Sequence, residues 1–332
     1  MKKAFIFRSG AYGDIIHLSF LPHLLKNKGY DKVDVQTGIK GYRVLQHNPY
    51  INELSIYMGE LVVSDFDRVV TRDMFLVKKH IEAKGHKYDD TFFLGGSIEN
   101  SLLKMENQSE YFMHQMHRDS SLKVNYYDQT CISAGYPEEV GKWQGEVYFT
   151  DEECNIGEEY IKQYKDKFTI LINVAGTSAH KQFVQAEELV KKLLDKYEDA
   201  LIITTGGPEY KDKSLKHMDD KRVRTIIGVQ PFRQAMHLTK HVNCVIGCES
   251  GLMVASNMHG TPTIQLMTAA SLDNHCKYAK NDYSLQSPAY CSPCSKGPYQ
   301  YIGCPVKDGY PLCVYFDTDI IMEQVEKIYD RF

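Results

Sequence analysis

Asp14 follows Gly13 at the mouth of an apolar-periodic helix, directly after the apolar run Ala4-Phe5-Ile6-Phe7. An aspartate there has two uses. It caps the helix by accepting free N–H groups of the first turn. Alternatively, at the carboxyl end of a strand, where open α/β sheets take their ligands, it removes a proton from a bound hydroxyl. The small residues beside it, Gly10 and Gly13, let a substrate approach. The stretch has no G-x-G-x-x-G and is not a P-loop, so it is no dinucleotide fingerprint.

A second group is Asn173-Val-Ala-Gly-Thr-Ser-Ala-His-Lys181, also placed after an apolar run. Small residues, two hydroxyls (Thr177 and Ser178) and Lys181 suit a diphosphate, held by backbone N–H groups and a helix dipole and neutralised by the lysine. An ordinary Ser/Thr-rich turn with a solvated lysine has the same composition. Gly206-Gly207-Pro208-Glu209 reads as a turn, with Glu209 free to cap the next helix or bind a ribose hydroxyl. Gly247-Cys-Glu249-Ser250-Gly251 ends a strand and opens a helix, where a carboxylate and free N–H donors could take sugar hydroxyls. Cys291-x2-Cys294-x9-Cys304-x8-Cys313 has the donor set of a tetrahedral thiolate site for zinc or iron, or is four reduced cysteines in a loop-rich segment. In 106–130, His114, His117 and Arg118, with Lys123, are candidates for an anionic acceptor, against a solvated amphipathic helix.

Short, near-continuously apolar runs alternate with helical patterns, which is the signature of parallel sheets covered on both faces. Strands are expected at 2–8, 32–37, 52–57, 88–94, 168–174, 200–205, 223–227, 242–246 and 262–266. Helices are expected at 14–28, 41–47, 186–195, 232–238 and 317–331. The Pro- and Gly-bearing stretch 135–153 reads as a linker. At 332 residues the chain has material for two domains, and its formal charge of −4 gives no basic stripe for nucleic acid or an anionic membrane. The nine cysteines are odd in number and scattered, unlike a secreted disulfide framework. With no signal-peptide pattern and no apolar run of transmembrane length, the expectation is a soluble, cytoplasmic protein.

The chain resembles glycosyltransferase family nine, the ADP-heptose:lipopolysaccharide heptosyltransferase family. The resemblance is carried by RSGAYGDIIHLSFLPHL at 8–24, NVAGTSAHKQF at 173–183, GGPE at 206–209, VIGCESGLMVASNMHGTPTIQLMT at 245–268 and CSPCSKGPYQYIGCP at 291–305. It departs from the family pattern in two places. Glu249-Ser250-Gly251 stands where Asp-Thr-Gly is common, and Gln182-Phe183 where Trp-Pro often follows the lysine.

The resemblance implies the α/β GT-B fold, two Rossmann-like doubly wound parallel-sheet domains facing a cleft. Residues 1–150 would bind the acceptor, and 151–316, with the Cys-rich segment 291–313, the nucleotide sugar. A helix at 317–332 would cross back onto the N-terminal domain. It implies Asp14 as the base that deprotonates an acceptor hydroxyl, with inversion at the sugar carbon. It places Gly13, Thr177, Ser178, Lys181, Glu209, Glu249, Ser250 and Gly251 around a nucleotide-diphosphate sugar, ADP-heptose or a close analogue. Lys181 would stabilise the departing diphosphate, with no catalytic metal, and a structural zinc or iron would sit on Cys291, Cys294, Cys304 and Cys313. The acceptor stays open among a saccharide, a protein hydroxyl and a modified base of phage DNA. A sugar-nucleotide-binding subunit without catalysis is the non-enzymatic alternative.

Overall fold

The computed structural model describes residues 1–57, 87–95, 98, 122–176, 178–206, 215, 220–228, 230–294 and 304–332. His114, His117, Arg118, Thr177 and Glu209 lie outside the described residues. The chain divides into two compact units, Met1–Ser101 with Tyr126–Phe149, and Leu102–Asn125 with Thr150–Phe332.

Among the described residues the first unit holds four parallel strands, β1 (Lys3–Phe7), β2 (Lys32–Thr37), β3 (Glu53–Ile56) and β4 (Asp90–Phe93), in the order β3-β2-β1-β4. The central strand β1 is buried from Ala4 to Phe7 because both of its edges are paired, with Phe5 opposite Asp34 on one side and Thr91 on the other. The helix expected over 14–28 is in fact two, α1 (Tyr12–Ile16) and α2 (Leu21–Asn27). Pro22 sets the break. It lacks the N–H that a continuous helix would need there, yet it fits the first turn of a new one, where no such bond is required. α3 (Ile39–Leu45) follows β2, and α4 (Tyr126–Ser133) closes the unit by setting Tyr126 and Tyr127 edge-on to the buried ring of His17. The stretch read as a linker is docked here. Trp143 stacks on Phe20 at 5.6 Å, and the Glu146 N–H donates to Ser19 Oγ at 2.8 Å.

The second unit opens with α5 (Asp151–Lys162), whose capping box joins Thr150 and Glu153. Its strands are β5 (Phe168–Asn173), β6 (Ala200–Thr205), β7 (Val223–Thr225), β8 (Cys244–Cys248), β9 (Thr263–Met267) and β10 (Leu285–Gln286). They form one parallel sheet in the order β10-β9-β8-β5-β6-β7. Every residue of β5 and β6 is buried, which explains their near-continuously apolar sequence. One face is covered by α6 (Ala186–Lys196), through Leu189, Val190 and Leu193. The other is covered by α7 (Phe232–Leu238) and α8 (Gly251–His259), through Ala235, Leu238, Leu252 and Met253. α5 packs on α7 at Gly157, where an added Cβ would stand 2.3 Å from His237 Nδ1. A short helix α9 (Leu272–His275) and a hairpin of β11 (Val306–Lys307) and β12 (Tyr310–Pro311) complete the unit before its last helix, α10 (Thr318–Tyr329).

The sequence reading sends α10 back onto the first domain. Its apolar stripe is buried within the second unit, where Ile321, Met322, Val325 and Ile328 share a cluster with Phe168, Leu189 and Leu193. At about 2 kcal/mol for each buried side chain of this size, those four residues decide where the helix lies. The exposed pairs Lys192–Asp319 and Lys196–Glu326 only trim the contact. Among the described residues no helix is long and apolar enough to cross a membrane.

Candidate functional site

In each sheet the chain runs outward from a central strand on one side and then returns to build the other, β1 to β3 and then β4 in the first unit, β5 to β7 and then β8 to β10 in the second. Loops at the carboxyl ends of the two strands flanking that reversal splay apart and leave a crevice, the usual ligand position in open α/β sheets. Among the described residues, Gly13 and Asp14 follow β1, Ser178 and Lys181 follow β5, and Glu249, Ser250 and Gly251 follow β8.

In the first unit the flanking strands are β1 and β4. Arg8, one residue past β1, is 1% exposed, and its guanidinium donates to the Leu94 carbonyl oxygen at 3.1 Å, joining the two strand ends. Its other nitrogen lies 3.7 Å from Asp14 Oδ1. Asp14 Oδ2 accepts the Ala11 N–H at 2.8 Å. Asp14 is therefore not the N-cap residue. Ala11 is, and Asp14 at the third helical position reaches back to it as the acidic half of a capping box. The capping contact uses Oδ2, while Oδ1 faces Arg8 in a side chain that is 23% exposed. Gly10, at φ 151°, is required beside it, because an added Cβ would stand 2.8 Å from Asp14 Oδ2. Arg8 was given no role from sequence, where it marks only the end of an apolar run.

In the second unit the flanking strands are β5 and β8. The loop after β5 does not run straight into a helix as expected. It folds into a hairpin closed by the Ala175–Gln182 bridge, with Ala179–Lys181 as a 3-10 turn, and α6 starts only at Ala186. The helix dipole expected behind Lys181 is therefore absent from that turn. Gly176 makes the hairpin possible. Its N–H donates to the Lys181 carbonyl oxygen at 2.5 Å, and a Cβ would stand 2.7 Å from Lys181 Cβ. Ser178 is buried and its hydroxyl lies 3.3 Å from His180 Nδ1.

Lys181 Nζ stands 3.9 Å from Glu249 Oε2, with the lysine 25% and the glutamate 3% exposed. Glu249 Oε1 accepts the Thr268 N–H at 2.8 Å and lies 3.0 Å from the Thr268 hydroxyl, which also reaches the His180 carbonyl oxygen at 2.9 Å. Ser250 is the N-cap of α8 but makes no side-chain cap bond; its Oγ instead accepts from Asn173 Nδ2 at 3.0 Å. Gly251 opens that helix, so its first N–H groups point out of the strand end. Burial, helped by neighbouring Lys181, pulls the His180 imidazole down to about 4, and the same two causes pull His275 down to about 3. Both rings are neutral at pH 7, which leaves the positive charge to Lys181. Thr268 and His275 were not singled out in the sequence, because a lone Thr after a strand and a lone His in a polar turn carry no spacing signal.

The cysteine segment adjoins these loops. The Ser292 hydroxyl donates to the Thr268 carbonyl oxygen at 2.7 Å, the Cys294 N–H donates to that of Ala269 at 3.1 Å, and the Leu312–Val314 turn packs on the Lys181 turn. Burial pushes the Cys313 thiol well above its ordinary range, with Cys294, Cys304 and Cys291 adding to the rise. The four residues therefore share a neighbourhood. Yet among the described residues no three His, Cys, Asp or Glu side chains are gathered closely enough to hold a metal ion. The expected convergence of four sulfurs is not met there.

No protein-family model and no curated protein matches this sequence. Solved structures do match the fold. The glycosyl transferase family 9 structure from Veillonella parvula DSM 2008 superposes with a TM-score of 0.72 at 14% identity, over 100% of this chain and 98% of that one. The E. coli ADP-heptose lps heptosyltransferase II gives 0.66 at 13% identity, over 100% and 99%. The iron-containing dodecameric glycosyltransferase TibC from enterotoxigenic E. coli H10407 gives 0.59 at 12%, over 99% and 76%. The likeness to glycosyltransferase family nine read from five short motifs is a likeness of fold along the whole chain.

Proposed function

We propose that this chain is an inverting glycosyltransferase that moves a sugar from a nucleotide-diphosphate sugar to an acceptor hydroxyl. One observation carries the reading. Each unit sets its chemically able groups at the strand reversal of its own sheet, a partly exposed carboxylate in the first and an ammonium in the second. Among the described residues, Lys181 Nζ has no hydrogen-bond acceptor within reach, so its donors are unspent. In the proposed step the acceptor oxygen attacks the anomeric carbon while the bond from that carbon to the diphosphate breaks. The acceptor proton goes to Asp14. The charge released on the diphosphate is met by Lys181 and by the N–H groups that open α8.

ADP-heptose is the proposed donor, since the E. coli relative named above is an ADP-heptose enzyme. The acceptor belongs to one of three classes, a saccharide, a protein hydroxyl or a modified nucleic-acid base. A cytoplasmic, reducing setting fits nine cysteines that are all free thiols. The test is native mass spectrometry against a panel of sugar nucleotides and nucleoside diphosphates, with the wild type and Lys181→Gln side by side. An ADP-sugar should bind the wild type and bind the variant at least about tenfold more weakly, the scale of one lost charge-assisted contact. Binding to neither protein, or equal binding to both, removes Lys181 from the donor site. Donor binding without transfer or hydrolysis would favour a binding subunit.

A structural zinc or iron on Cys291, Cys294, Cys304 and Cys313 is proposed on the thiol donor set alone, and it requires the four sulfurs to close on one point, where in this structure no three of them gather. With four thiolates and no open position, such an ion would only hold the loops together. Elemental analysis should find about one ion per chain, and Cys294→Ser should lower metal content and stability together. Metal-free protein of unchanged stability rejects it.

A further inference from the structure

The sequence places Glu249 against the hydroxyls of the donor sugar, and the geometry points elsewhere. We infer that Glu249 is the fixed counter-charge of Lys181, set in place by Thr268, and that it weakens the site's hold on the nucleoside diphosphate so that this product can leave. The inference rests on the reading of Lys181 as the partner of that diphosphate.

Three observations support it. Glu249 is 3% exposed, so a sugar hydroxyl has almost no carboxylate surface to reach. Its Oε1 accepts the N–H of Thr268, one residue past the end of β9, at 2.8 Å, and lies 3.0 Å from the Thr268 hydroxyl, whose single proton is shared with the His180 carbonyl oxygen at 2.9 Å. Its Oε2 faces Lys181 Nζ at 3.9 Å, close enough for attraction yet beyond hydrogen-bond reach. The carboxylate thus neither seizes the ammonium nor leaves it alone. It is anchored from the far side by the loop after β9, and the ammonium keeps its three donors for a ligand.

The electrostatic sign follows directly. A negative charge behind Lys181 repels an anion that Lys181 attracts, so it lowers affinity for a diphosphate without altering the shape of the site. Release of a tightly held product limits many enzymes. A built-in counter-charge speeds that release at some loss of ground-state binding.

Glu249→Gln keeps the size and the acceptor oxygen for Thr268 while removing the charge. Calorimetric titration with ADP and with inorganic pyrophosphate should show both binding about three- to tenfold tighter in the variant, a difference that shrinks as salt is raised. Thr268→Val should act in the opposite direction. There the Glu249 carboxylate, relieved of the hydroxyl, leans further on Lys181 and weakens both probes about twofold, while the lost contact to the His180 carbonyl oxygen is read separately as a lower unfolding midpoint. The second variant also keeps the inference testable if the first fails to fold. Unchanged pyrophosphate binding in Glu249→Gln with weakened sugar-nucleotide binding returns Glu249 to the sugar and overturns the inference. Weaker binding of both probes makes Glu249 a prop for Lys181 and overturns it equally. If the wild type binds neither probe, the glycosyltransferase reading itself falls.

Discussion

Asp14 accepts the Ala11 N–H, so a test of its chemistry must leave that bond in place. Asn keeps an acceptor oxygen for Ala11 and loses the charge facing Arg8. Asp14→Asn should therefore cost only about 1 kcal/mol of stability, the scale of one weakened polar contact. Turnover with a bound donor should fall at least about 10²-fold, as for a lost general base. Activity within threefold of wild type would leave Asp14 with its capping role alone. At this scale the sequence was readable where a residue type is rare in its setting. A carboxylate after glycine at a strand end and a lysine closing a small-residue turn both stood out. Arg8 and Thr268 did not, because their roles come from partners 86 and 19 residues away. The role of Glu249 also depends on a fact no motif carries, which is that its side chain is buried.

Between elements, the second site depends on how closely two backbones approach. Gly247 on β8 faces Asn173 on β5, and a Cβ there would stand 2.6 Å from the Asn173 carbonyl oxygen. The obstacle is backbone in the middle of a paired sheet and cannot swing aside. Gly247→Ala should cost about 1–3 kcal/mol by overpacking and shift Asn173 off Ser250, read as a lower urea midpoint together with weaker diphosphate binding. Full stability would mean the strands part without cost. The strands were the most legible elements, with β2 and β6 at their expected ends, since β6 opens on a continuous apolar run and β2 alternates Val33 and Val35 with polar residues. Two turns were misread. The Pro22 break and the hairpin before Lys181 are both settled by local hydrogen bonding that apolar periodicity does not register.

For the molecule as a whole, acid is the informative variable. Burial holds the imidazoles of His180 and His237 at about 4, and those of His259 and His275 at about 3, all in the second unit. Around His237 and His259, His241 and Lys240 add to the fall, while Glu158 and Glu153 resist it at His237. These groups are neutral when folded and ionise near 6.5 when unfolded. The unfolded chain therefore gains protons first, so their contribution is complete above about pH 6.5 and is lost as pH falls toward 4. At pH 5 each costs roughly 1–2 kcal/mol. The single tryptophan, Trp143, belongs to the first unit. Between pH 7 and 5 the unfolding midpoint by circular dichroism should drop, while that of Trp143 fluorescence moves less. Coincident shifts would show that the two units lose structure together.

The position of α10 bears on how the protein is made. A ribosome delivers residues in order, and the first unit has all of its strands and α4 once Phe149 has emerged. The second unit is different. Its founding strand β5 shares a core with Ile321, Met322, Val325 and Ile328, some 150 residues downstream. Until those residues leave the exit tunnel, at about 5–20 residues per second, one face of the sheet that carries Lys181 and Glu249 is covered by α6 alone and leaves apolar surface exposed beside it. The site is among the last parts of the chain to become rigid, and nascent protein stalled short of Thr318 is the form in which a chaperone has something to hold.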